Sequence, residues 1–203
     1  MGAGYTVTPG TAAITGFDVY PVNLSGTAFT GLRLNLYVWG SVNTSGTVNS
    51  TTPAFSNLLG TYSTVATGTF SSGYYWSYEG NPVGSAPGIT LPSPIAISGN
   101  TIGVTLNYQG TTDGVNYNNL NSLTSLISYG VAPSVGSLVF NGYYRNASSE
   151  VNGNFISSLR SLGKTDQGLA LRIYGTAIPE PAAASLLGLG LAALVAFRRR
   201  NVA

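Results

Sequence analysis

The sequence predicts an all-β fold: an antiparallel β-sandwich of jelly-roll-like character, followed by one short C-terminal transmembrane helix. Three observations lead there. Residues 31–40, GLRLNLYVWG, alternate strictly, with Leu32, Leu34, Leu36 and Val38 on one face and Arg33, Asn35, Tyr37 and Trp39 on the other. Clusters of Gly, Ser, Asn and Pro, such as GNPVG at 80–84 and TDGV at 112–115, punctuate the chain with turn chemistry. Residues 182–197, AAASLLGLGLAALVAF, carry no charge and are followed at once by three arginines.

Taken in order, the body supplies further strands. Residues 101–108 repeat the alternation with Ile102, Val104, Leu106 and Tyr108, and residues 169–173 repeat it with Leu169, Leu171 and Ile173. Weaker patterns place strands at 14–22, 58–67, 69–78, 89–97, 123–129 and 135–144. Pro92 and Pro94 fall inside one apolar run, so that strand lies at an edge or is broken there. Residues 155–162 are the single helical candidate before the tail. Many short strands with such punctuation suggest two packed sheets, and residues 1–176 are expected to form one domain.

Composition narrows the chemistry. Only 7% of residues are charged, and there is neither His nor Cys. Nucleophile–base pairs built on His or Cys, His/Cys metal sites and disulfides are therefore unavailable. Without Glu180 and the three terminal arginines the body carries five basic residues (Arg33, Arg145, Arg160, Lys164, Arg172) and five acidic ones (Asp18, Glu79, Asp113, Glu150, Asp166). A neutral body has no electrostatic footprint for nucleic acid. The acids are scattered. A carboxylate-dependent glycosidase would need two of them about 5–10 Å apart in a cleft, and the expectation is that the chain is not an enzyme.

Two binding candidates remain. Asp113, Asn116 and Asn118 put hard oxygen ligands in one loop, which is calcium chemistry, although Asx-turns use the same residues. Tyr74, Trp76 and Tyr78 would share one face of a strand, and Trp39 lies opposite an apolar stripe. Such rings can stack on sugars, or they can simply pack a sheet interior. Sequons occur at Asn23, Asn43, Asn49 and Asn146, some of them expected by chance in so Asn-, Ser- and Thr-rich a chain, and are weak evidence for N-linked glycan.

The tail is the most specific stretch. Residues 182–197 would make a helix roughly 24 Å long, short for a span that usually needs about 20 residues. Arg198, Arg199 and Arg200 would hold their end on the cytoplasmic side, leaving the body outside. Pro179 and Pro181 stiffen the approach, since neither donates a backbone hydrogen bond and each disfavours helix before it. The triplet Pro179-Glu180-Pro181, the Gly- and Leu-rich helix and the terminal arginines together resemble a PEP-CTERM sorting signal. The body also resembles the β-sandwich ectodomains found before such tails, where a final strand like ALRIY at 170–174 leads straight into the signal.

That resemblance implies a destination. It implies Sec export, a transient stay in the inner membrane of a Gram-negative-type bacterium, processing by an exosortase, and release to the envelope surface or extracellular matrix. Pro179, Glu180 and Pro181 would be recognised, 182–197 would hold the chain in the membrane, and Arg198–Arg200 would stop transfer, 182–203 together forming the helix and basic tail. Residues 177–181 would be an extended linker. Residues 1–9 show no basic region followed by an apolar run, so a leader is expected to be missing from this start. The expected role is structural or adhesive and free of cofactors, the alternative being a module that holds extracellular polysaccharide.

Overall fold

The structure, a computed structural model, describes residues 1–7, 10–43, 53–82, 85–119, 123–125, 127–129, 137–138, 144–145, 160–161 and 167–177. In chain order the strands are β1 (Gly2–Thr6), β2 (Thr11–Val19), β3 (Pro21–Asn23), β4 (Phe29–Val42), β5 (Phe55–Phe70), β6 (Ile89–Ala96) and β7 (Thr101–Thr111). Short pieces follow: β8 (Asn118–Asn119), β9 (Leu123–Ser125), β10 (Ile127–Tyr129), β11 (Ser137–Leu138), β12 (Tyr144–Arg145), β13 (Arg160–Ser161) and β14 (Gln167–Leu169). The last is β15 (Leu171–Ala177). Among the described residues the fold is all-β and every ladder is antiparallel. Among the described residues no helix is long and apolar enough to cross a membrane; the predicted span at 182–197 lies outside them, as does most of the helical candidate at 155–162.

An eight-stranded sheet runs β13-β12-β1-β7-β4-β5, with β11 beside β1 and β8 beside β7. A three-stranded sheet runs β15-β2-β6, and two-stranded pairs join β10 to β14 and β3 to β9. The predicted stripe does its work at the centre of the large sheet. Leu34 pairs with Tyr108, Leu36 with Leu106 and Val38 with Val104. These side chains share one core with Ile14, Phe17 and Val19 of β2 and with Ile89, Leu91 and Ile95 of β6. Each such buried side chain contributes about 1.5–3 kcal/mol relative to an exposed one. The core thus draws its side chains from both the large sheet and the three-stranded sheet.

Several predicted boundaries move, each for a physical reason. The strand expected at 14–22 is interrupted at Tyr20, where β2 ends and β3 begins. The strand expected at 69–78 does not form. β5 continues to Phe70, and residues 74–78 then run beside 19–23 with only isolated bridges, Val19 to Tyr78 and Val22 to Tyr75. Tyr78 N donates to Val19 O at 3.0 Å and Trp76 N to Pro21 O at 3.1 Å. Pro21 has no N–H to return the second bond, so the ladder loses a rung. β6 is unbroken by Pro92 and Pro94 and is an edge, as its prolines require.

β1 has no counterpart in the sequence-based reading. Its residues, GAGYT, carry no apolar alternation; pairing with β7 on one side and β11 and β12 on the other makes it a strand.

Candidate functional site

The face of β4 opposite the core splits into two zones. At one end Trp39 is only 5% exposed and packs with Ala54 and Phe55. Its ring stacks between Tyr37, at 6.3 Å, and Phe55, at 6.4 Å between centroids. Its indole Nε1 donates to Thr105 Oγ1 at 3.0 Å, satisfying a donor that burial would otherwise strand. Gly103 makes room for this. A methyl there would meet the Phe55 ring, 2.9 Å from Cε1, and Trp39 Cβ at 3.2 Å. Trp39 does sit opposite the apolar stripe, but Phe55 covers it, and it cannot serve as the exposed sugar platform the sequence suggested.

The remainder of this face is polar and almost uncharged, exposed along β5, half-buried along β4, and closed in at Thr105 of β7. The register lines up three rows across β5, β4 and β7: Val65–Arg33–Gln109, Ser63–Asn35–Asn107 and Thr61–Tyr37–Thr105. Ser63 Oγ donates to Asn35 Oδ1 at 2.9 Å, and Asn35 Nδ2 lies 3.4 Å from both Asn107 Oδ1 and Gln109 Oε1. The Arg33 guanidinium sits 4.3 Å from the centre of the Tyr117 ring, a cation–π distance. Partial burial pushes the Tyr37 hydroxyl above its usual range, so it stays a neutral donor. Amides and hydroxyls that both donate and accept suit a neutral, hydroxyl-rich ligand better than an ion. The sequence reading passed over Asn35, Asn107 and Gln109. Their signal was the unusual choice of amides, rather than charges, at the outward positions of the two clearest strands.

The predicted aromatic row is arranged differently. Trp76 and Tyr78 face inward and pack on the core, Trp76 meeting Phe70 edge-on at 4.8 Å. Tyr74, at 66% exposure, and Tyr75 stand in solvent. Tyr74, Trp76 and Tyr78 therefore form no common exposed platform. Tyr78 instead lines a cavity of about 210 Å³ between the sheets, with Tyr62, Tyr108, Leu32, Leu34 and Ile89. Burial raises the Tyr78 pKa.

The Asp113 loop is tied to itself. Asp113 Oδ1 accepts hydrogen bonds from the Thr111 hydroxyl at 2.7 Å and from the backbone N–H groups of Val115 and Asn116 at 2.9 and 2.8 Å. Its Oδ2 accepts from the Asn116 side-chain amide at 2.7 Å. These bonds, led by the Asn116 N–H, hold its carboxyl well below the usual range. Asn116 thus turns its donor towards Asp113, and Asn118 lies exposed on β8. Among the described residues no group of three or more His, Cys, Asp or Glu is placed to hold a metal ion. Asp113 and Asn116 build an Asx-type turn that carries Tyr117 to Arg33, and Asn118 follows it in the ladder with Gly110.

A second polar cluster lies on the outer side of β2. The Asp18 side chain is fully buried and accepts from Arg172 at 2.6 Å, from the Tyr174 hydroxyl at 2.7 Å and from Gly88 N at 2.8 Å. Burial pushes its pKa up, but the Gly88, Tyr174 and Arg172 hydrogen bonds outweigh that and hold it below its usual value. Tyr20 donates to Glu79 beside this group. Burial and that bond push the Tyr20 hydroxyl to about 12. Glu150 and Asp166 lie outside the described residues.

The fold and its faces define an all-β body with a polar sheet face, whose last strand among the described residues ends at Ala177. The family model of the PEP-CTERM protein-sorting motif matches residues 177–200, beginning at that last strand residue. The chain carries this sorting motif, which implies an exported protein processed by an exosortase-type enzyme at the envelope. Pro179, Glu180, Pro181 and Arg198 to Arg200 fall within the match but outside the described residues. Neither the curated proteins nor the solved structures gave a match.

Proposed function

We propose that this chain is a non-enzymatic surface or extracellular-matrix protein with a structural or adhesive role. In this reading a two-sheet β-sandwich body is delivered by Sec export, held briefly by a transmembrane helix at 182–197, and processed near Pro179-Glu180-Pro181. The observation that carries it is the sorting motif at 177–200 abutting β15 without an intervening domain. The chemistry of the body fits: Asp18 is spent on an ion pair and Asp113 on its own loop. The test is intact mass of the protein recovered from its own cells after separation of membrane, envelope surface and medium. Loss of the segment beyond the triplet, with the body outside the inner membrane, is the expected result. An intact Arg198–Ala203 end in every fraction would overturn the reading.

A second reading places extracellular polysaccharide on the body. The Ser63–Asn35–Asn107 row favours it, because an uncharged amide ladder flanked by Tyr37 and Tyr117 matches sugar hydroxyls and ring faces. This moves the sugar site from the aromatic segment at 74–78 to the outer face of the large sheet.

A further inference from the structure

The two sheets end in very different edges. β6 closes one side of the three-stranded sheet and carries Pro92 and Pro94, both exposed, which cannot donate to an incoming strand. β5 closes the large sheet. It runs for 16 residues, Phe55–Phe70, without a proline or a charged side chain. Among the described residues β5 pairs with β4 alone. Proteins usually blunt such an edge with charge, proline or short length, because its free N–H and C=O groups template another strand. Here those devices are present on one edge and absent from the other.

The side chains agree. Of the outward residues on β5, Leu58 is 49% exposed and Val65 46% exposed, two of the large apolar groups the body leaves in water. Around them lie Thr61, Ser63 and Thr67, exposed and uncharged. Asn57 takes φ 58°, and the β4–β5 ladder shifts register between Val38 and Trp39, so the regular part of the edge begins just after this bulge. What remains is an uncharged stretch at 61–67 in unbroken register with β4, β-branched at Thr61, Thr64, Val65 and Thr67.

The geometry points to β5 as a self-association edge: two copies of this chain pair β5 to β5 antiparallel, joining two eight-stranded sheets into one. The occupant is a second copy for two reasons. An uncharged strand meets itself without like-charge conflict, and it offers nothing to select a charged peptide. The body is also formally neutral, so copies approach without net repulsion. Rotation about Ser63 sets β-branched Thr61 opposite Val65 of the second copy, a favourable cross-strand pair. The inference does not depend on where the chain is sorted.

The natural absence of cysteine permits a clean test. The full chain in detergent is prepared with single substitutions Thr61→Cys, Ser63→Cys and Val65→Cys, and with Val115→Cys as an exposed control away from the edge. Under mild oxidation, cross-linking is expected on β5, peaking at one position and falling off on either side, with at least tenfold less at residue 115. In parallel, Thr61→Lys/Thr67→Lys puts the missing charges on the edge and is expected to weaken dimerisation at least tenfold by sedimentation, with unchanged circular dichroism. Association through the apolar tail would leave β5 uncross-linked and insensitive to the lysines. That result, or a monomeric parent chain, overturns the inference; if the lysine variant fails to fold, the cysteine scan alone decides.

Discussion

Arg172 reaches across the β15–β2 pair to Asp18, 2.6 Å away, and the carboxylate it meets has no exposed surface at all. Arg172 and Asp18 are also cross-strand partners in the ladder, so the ion pair and the backbone rungs hold the same two strands. Tyr174 and Gly88 complete the shell around the anion.

Arg172→Met is therefore expected to destabilise the body by about 1–3 kcal/mol. That is below the 3–5 kcal/mol typical when a fully buried pair is broken, because the Arg172 side chain is 42% exposed. Urea midpoints of the parent and the variant measure it; equal midpoints would show that Gly88 and Tyr174 suffice.

The same group sets an acid limit. Asp18 is depressed in the folded state, so its contribution is present above the ordinary carboxylate pKa of about 3.9 and is lost as pH falls through the folded value. Asp113, held low by the Asn116 N–H and its other loop donors, acts with the same sign. Stability is expected to fall below about pH 4, and Asp18→Asn should flatten that fall. Thermal unfolding at pH 7 and pH 3 gives the comparison.

Trp39→Ala is expected to cost about 3–5 kcal/mol, as for other buried aromatic truncations. Trp39→Phe should cost less, with about 1 kcal/mol of it from the lost donor to buried Thr105. Denaturant titrations of the two variants separate packing from the hydrogen bond. Were Trp39 a surface platform, both changes would be nearly neutral.

Gly103→Ala tests the same pocket from below. Its added methyl must displace Phe55, and a loss of about 1–3 kcal/mol is expected from overpacking. Pairing with Phe55→Leu should recover part of that loss in a double-mutant cycle.

Asn35→Ala with Asn107→Ala probes the sheet face. The one hydrogen bond between them is long, 3.4 Å, and the 2.9 Å bond from Ser63 to Asn35 is exposed, so stability should change by no more than about 0.5 kcal/mol. Retention on neutral polysaccharide in affinity electrophoresis should fall about tenfold if sugar lies there. Unchanged retention would remove the second reading.

How much of this could be read in advance differs from element to element. β4 and β7 were legible because both faces of each strand obey period two, and burial of one face fixes their register. β1 was not, because Gly2, Ala3 and Gly4 carry no pattern and become a strand through their neighbours. The segment at 74–78 was misread because its strand-like aromatics lie against Pro21, a residue some fifty positions away that withholds a rung. Trp39 was placed on the correct face, but what covers it comes from Ala54 and Phe55, a long-range contact that no local window contains. Conversely the terminal signal is read from residue order alone, and the family match reproduces it at 177–200.

The junction at Ala177 has a mechanical meaning. β15 pairs with β2 along its whole length, from Leu171 with Val19 to Ala177 with Thr11. A pull applied through the C-terminus meets the Ala177–Thr11 rung first, at the end where β2 also begins, so the pair is loaded from that end inward. The Arg172–Asp18 contact lies near the far end of β15 and guards the last rungs to open. Force spectroscopy on a body held at its two termini should then show β15 released in steps, the last of them lowered in Arg172→Met. A chain drawn on from its tail would give up its final rungs only when that contact breaks.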